Sequence, residues 1–136
     1  MGLTIDTGVF VFIERRKLVV DWQQLFGPIP FTISAVTASE LLVGAFRANN
    51  QARRDHRIQV LDAIVASMTV LDYTLATARI HAPIHADLQS RGLLIGAHDL
   101  IIAATALEHG HAVLTTNRRE FERVVGLVVL DFPAAP

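Results

Sequence analysis

Four places in the chain put a carboxylate or an amide among neighbours that are mostly apolar or small. They are Asp6 in LTIDTGVF, Glu40 in TASELLVGA, Asp99 in GAHDLIIAA, and the pair Asn117 and Glu120 in TTNRREF. Of the thirteen acidic residues, most of the others sit in polar or helix-surface contexts that solubility alone explains, and Asp72 is placed to cap a helix. Each of the four also has a bland reading. Asp6 can cap the helix that follows it, Glu40 can be the acidic half of a capping box with Thr37, and Asn117 can serve a turn. Asp99 can be a first-turn acid favoured by the helix dipole by about 0.3–1 kcal/mol. Singly these readings are the stronger ones; they weaken if all four positions meet at one edge of a sheet. Carboxylates gathered in a partly buried pocket repel by roughly 4 kcal/mol for two unit charges about 4 Å apart at an effective dielectric of about 20. They must take up protons, spread into water or bind a cation. Oxygen donors without cysteine, and without histidines at ligand spacing, favour Mg2+ or Mn2+ over zinc. A hard ion shared between a few carboxylates and phosphate oxygens is suited to phosphodiester cleavage.

Hydrophobic patterning supplies the elements that must bring these positions together. GLTID reads as a short buried strand ending at Asp6, and TGVFVFIERR as a helix on the spacing of Val9, Phe12 and Ile13. Gly27, Pro28 and Pro30 punctuate the chain before a second strand over Phe31 to Ile33. A helix follows with Ser34 or Thr37 as its cap, then a basic polar stretch through Arg57 leading into the helix IQVLDAIVAS. MTVLDY reads as a third strand, and TLATARIHAPIHADLQSRG as a helix that Pro83 should kink or break. AHDLIIAATALEHG is the best-formed helix, closed by Gly110. HAVLTT and GLVVLDF are strands joined by a helical turn over RREFERV. Strands alternating with helices imply a parallel sheet covered on both faces, with ligands beyond the carboxyl ends of its strands.

Composition sets the outer limits. The 136 residues suit a single domain, 1–136, and with 51% hydrophobic and 18% charged residues the chain can fill a core. It has no cysteine, which removes disulfides, thiolate zinc sites and thiol nucleophiles and fits a reducing, cytoplasmic setting. No apolar run is long enough to span a bilayer, and neither a signal peptide nor a membrane role is expected. Net charge is −1, yet ten of the twelve Lys and Arg residues fall in ERRKL, RANNQARRDHR and NRREFER. Those segments are solvated faces or grips for a polyanion.

In order and spacing, TIDTGVFV, SAVTASELLVGA, AHDLIIAATALEHG and VLTTNRREFERVVGLVVLDF resemble the PIN-domain ribonucleases, specifically the VapC-type toxins of type II toxin–antitoxin (VapBC) systems. The resemblance runs nearly end to end. It implies a PIN-like three-layer α/β/α sandwich with a parallel sheet of about five strands, and a Mg2+- or Mn2+-dependent endoribonuclease. By position Asp6, Glu40 and Asp99 match the metal-site acids. The fourth position falls in TTNRREF, where Asn117 supplies an amide and Glu120 the nearby carboxylate. Thr7 and Thr115 match polar positions that orient the site, and Arg15 and Arg118 stand where RNA backbone contacts are expected. The resemblance further implies action on structured RNA (tRNA or rRNA), a homodimer, and inhibition by a VapB-type antitoxin, with operator DNA reached only through that antitoxin.

Two other readings stand beside the enzyme. One is a non-catalytic PIN-like module that binds RNA or protein, supported by the amide at Asn117; the other is a regulatory subunit acting through its partner. His81 and His85 stand four apart, but Pro83 between them argues for exposed polar positions. His98 is expected at a helix surface, His109 and His111 at a turn, and Trp22 in the core or a dimer contact. No serine elbow or glycine-rich phosphate loop is present, which excludes triad hydrolases and P-loop enzymes.

Overall fold

The computed structural model describes residues 1–133. Its strands are short: β1 Leu3–Ile5, β2 Phe31–Ser34, β3 Thr69–Leu71, β4 Ala112–Thr115 and β5 Val129–Asp131. They form one five-stranded sheet in the order β3-β2-β1-β4-β5, every neighbouring pair parallel. Parallel neighbours cannot be joined by a tight turn, so helices carry the crossovers. These are α1 Thr7–Arg16, α2 Trp22–Phe26, α3 Ala35–Phe46, α4 Gln51–Ser67, α5 Leu75–Ser90, α6 Ala97–Glu108 and α7 Arg118–Phe121.

The strand pleat divides the core into two layers. Leu3, Ile5, Ile33, Ala112 and Leu114 pack on one face with Val9 and Phe10 of α1 and Ile64 of α4. Val113, between Ala112 and Leu114, turns to the other face and joins Leu88 of α5, Leu100, Ile102 and Ala106 of α6, and Phe121 of α7. The result is the expected α/β/α sandwich. Trp22 packs against the first layer and lies near the rings of Phe10, Phe31 and Phe132, so it is a core residue. Successive connections run β1 to β2 to β3 on one side and β4 to β5 on the other. The carboxyl ends of β1 and β4 therefore flank the topological switch point.

Several local expectations are corrected. The five-residue α2 was not legible in the punctuation around Gly27. The basic stretch is not a lead-in to α4 but its first turns, with Asn50 accepting from the Arg53 amide. Strand β3 stops at Leu71, and Thr74, not Asp72, caps α5 through a box with Thr77. Helix α5 continues through Pro83 without a break. Arg79, Ala82 and Pro83 are exposed there, so water can satisfy the carbonyl the proline leaves free. Ser34 caps α3 by accepting from the Val36 amide. The Thr37–Glu40 capping box does not form: Ser34 is the cap and Thr37 lies inside α3. Thr7 Oγ1 engages both side chains, donating to Glu40 Oε1 at 2.8 Å and lying 3.0 Å from Thr37 Oγ1.

Candidate active site

Asp6 leaves β1 at the carboxyl edge of the sheet and stands at the head of α1 with an extended backbone. It is 5% exposed, and its side chain closes no capping hydrogen bond. The Thr115 hydroxyl, at the end of the adjacent β4, donates to Asp6 Oδ2 at 2.8 Å. Burial pushes the Asp6 carboxyl above its ordinary range; the Thr115 bond opposes this and the charge of Glu40 adds to it.

Glu40 arrives from the second turn of α3, where Thr7 Oγ1 donates to its Oε1 at 2.8 Å. Thr7 thus ties the head of α1 to α3. Asp99 lies in the first turn of α6, behind a glycine N-cap that supplies no side chain. Half burial, the charge of Asp6, a hydrogen bond and charge from Glu120, and the charge of Glu40 push Asp99 up to about 7. A carboxyl pushed toward neutrality by burial and three neighbouring carboxylates is one that a divalent cation would return to its ionised form. Glu120, from α7, is among the carboxylates that act on Asp99.

Asn117 precedes α7 and is exposed; its amide N–H donates to Thr115 Oγ1 at 2.8 Å, while its side chain caps nothing. Asp6, Thr7, Glu40, Asp99, Thr116 and Asn117 line a hollow of about 560 Å³, with Arg15 and Arg16 of α1 on its rim. Gly8 also lines it, and a Cβ there would lie 2.8 Å from Thr116 Oγ1, so a larger residue would wedge α1 from the loop after β4. His98 is exposed, with Nδ1 3.5 Å from Glu40 Oε2.

Thus the folded chain brings Asp6, Glu40, Asp99 and Glu120 within electrostatic reach of one another, with Asn117, Thr7, Thr115 and Arg15 around them. Arg118 is placed differently. It pairs with Glu122 and, at 3.3 Å, with Asp131, and donates to the Val129 carbonyl at 3.1 Å, so it clamps α7 to β5. Arg57 is likewise engaged, with Glu14 at 2.9 Å and the Gly44 carbonyl at 2.8 Å. Gly8 and Thr116 were not singled out as site residues; the doubled threonine before Asn117 was the available signal.

A hard divalent ion suits this donor set, which is all oxygen and already starved of positive charge. Among the described residues no three acidic, histidine or cysteine groups stand at ligand spacing as they are. Mg2+ typically keeps several waters and needs only one or two protein carboxylates.

Comparison with known proteins shows the family and the fold. The family model described as "PIN domain" matches residues 3–127. The chain is 35% identical to Ribonuclease VapC1 of Rickettsia felis over 96% of each sequence. It is 33% identical to the tRNA(fMet)-specific endonuclease VapC of Shigella flexneri, over 94% of this chain and 96% of that one. The fold superposes on the DNA-bound VapBC crystal structure from Salmonella typhimurium with a TM-score of 0.85 at 28% identity, covering 96% and 98% of the two chains.

Proposed function

Because the chain belongs to the PIN-domain family, among the VapC ribonucleases, we propose that it hydrolyses phosphodiester bonds in RNA as the toxin of a toxin–antitoxin pair. The substrate we assign is a structured RNA, tRNA or rRNA, and the cofactor Mg2+ or Mn2+. One observation carries the reading: burial, together with three carboxylates from three other segments, Asp6, Glu120 and Glu40, pushes Asp99 up to about 7. Asp6, Asp99 and Glu40 would hold the ion, with Glu120 next to Asp99. When bound, the ion neutralises charge on the phosphoryl group and activates the attacking water. Thr115 donates to Asp6, orienting it and opposing the rise that burial imposes, and Thr7 orients Glu40 by donating to its Oε1. Asn117 offers an amide that can donate to a phosphate oxygen and accept from a water. Arg15 and Arg16 give the rim positive charge for the backbone of the RNA, an attraction that weakens with salt.

The regulator is a VapB-type antitoxin, acting on a homodimer that reaches operator DNA only through it. An apolar groove supports such a partner. Phe10, Val11, Leu41, Val60 and Leu61 line it between α1, α3 and α4, with Glu14, Arg15 and Arg57 among its polar residues. Glu40 and Arg15 belong to both the groove and the acidic hollow, so a segment lying in the groove leads into the site.

The test is cleavage of total RNA with Mg2+ or Mn2+ by the parent chain beside Asp6→Ala and Asp99→Ala. Equal rates for all three would refute the assignment. The amide at Asn117 favours the second reading, a module that binds without cutting. Calorimetric titration with Mn2+ separates the two, since a non-cutting module has no need of the ion.

A further inference from the structure

The other group of unused titratable side chains is on α5, away from the acidic hollow. His81 and His85 are four residues apart, and because α5 passes through Pro83 intact they lie on one face of a continuous helix. Their ring centroids are 6.0 Å apart with planes at 76°. The Tyr73 ring meets His81 edge-on at 6.0 Å and restricts its orientation. The imidazole–carboxylate contacts among the described residues are those of His98 and His109, and neither member of this pair takes part in one. Burial and the neighbouring His85 hold the His81 imidazole below the usual histidine range.

We propose that His81 and His85 form a bidentate imidazole site for a late first-row transition ion, with Cu2+, Ni2+ and Zn2+ bound in falling order of affinity. Nitrogen donors of intermediate softness select these ions over Mg2+. The chelate would span Pro83, bridging the turn where the helix lacks a main-chain donor, so occupancy would also brace α5. A second close pair, His109 and His111, is a poorer site. His111 Nδ1 is already engaged by Thr4 and Thr32, and its Nε2 abuts Gly2.

The test titrates the full chain with Cu2+ and Ni2+, using wild type, His81→Gln, His85→Gln, His111→Gln and Asp99→Asn. Electron paramagnetic resonance of the Cu2+ form should show two imidazole nitrogens in wild type, His111→Gln and Asp99→Asn, and lose that signature in either α5 variant. Ni2+ should weaken at least tenfold in both α5 variants and raise the melting temperature only where both histidines are present. A two-nitrogen signal surviving His81→Gln and His85→Gln, or absent from wild type, would overturn the proposal. So would Ni2+ affinity that follows Asp99 instead of the histidines.

Discussion

Thr4 and Asp6 are two residues apart around the end of the central strand, and both are almost wholly buried. Thr4 Oγ1 meets Thr32 Oγ1 at 3.0 Å and His111 Nδ1 at 3.1 Å, while Thr32 also donates to the Leu3 carbonyl. Donors and acceptors balance there, and burial with neighbouring positive groups holds His111 below its usual range. Around Asp6 the balance fails. Thr115 and Thr7 offer hydroxyls, but four carboxylates compete for the space, and protons are taken up to relieve them. A satisfied buried cluster holds strands together, whereas one rich in acceptors and poor in donors makes a place for a cation.

Breaking the acceptor-rich end should have the largest effect. Asp99→Ala is expected to lower RNA cleavage at least about 100-fold, the scale on which removing one transition-state electrostatic partner acts. The ion-free protein should respond the opposite way. The Asp99 carboxyl titrates at about 7 in the fold against 3.8 when free, so its protonated form favours folding. Its contribution is greatest below about 3.8, falls as pH rises toward 7, and is level above that. Melting curves between pH 4 and 8 should therefore slope less for Asp99→Asn than for the parent. Saturating Mg2+ should level the parent curve near neutrality, and affinity for the ion should rise with pH through about 7 as the Asp99 proton is given up.

Thr115→Val keeps the packing but removes the hydroxyl that holds Asp6. Cleavage should fall by about 10- to 100-fold, the cost of losing a partner behind a metal ligand. Raising the pH should restore part of that loss, and a flat pH response would sink the idea that Thr115 acts on the charge of Asp6. His111→Ala tests the balanced end: it deprives Thr4 and Thr32 of a partner and should cost about 1–3 kcal/mol in denaturant melts. Cleavage per folded molecule should not change. The smallest expected effect separates two arginines. Arg15→Ala should lower the slope of log affinity against log salt by about 1, while Arg118→Ala should leave it unchanged and reduce stability instead.

The strand–helix alternation, the apolar stripes and the four polar intrusions were all visible in the chain, because burial imposes periods of about 2 and 3.6 residues on side-chain chemistry. Caps were less legible. Thr37 and Glu40 had capping-box spacing, but spacing cannot show that Thr7, distant in sequence, would claim both side chains. The missing donor of Pro83 predicts a kink or a break, but where the helix face is exposed water can take the freed carbonyl and the helix runs on. Arg118 stood in the right cluster for substrate, yet Asp131 and the Val129 carbonyl, brought beside it by β5, hold it elsewhere.

By itself the sequence determined which residues are acidic, where the five strands and most of the helices fall, and that the connections must be crossovers. Tertiary structure alone decided that Asp6, Glu40 and Asp99 line one hollow with Glu120 acting on Asp99, and which hydroxyl serves which acid. The reason is the range of the forces involved. Propensity and periodicity act over a few neighbouring residues, whereas the repulsion that raises Asp99 exists only after β1, α3, α6 and α7 have been docked against one another.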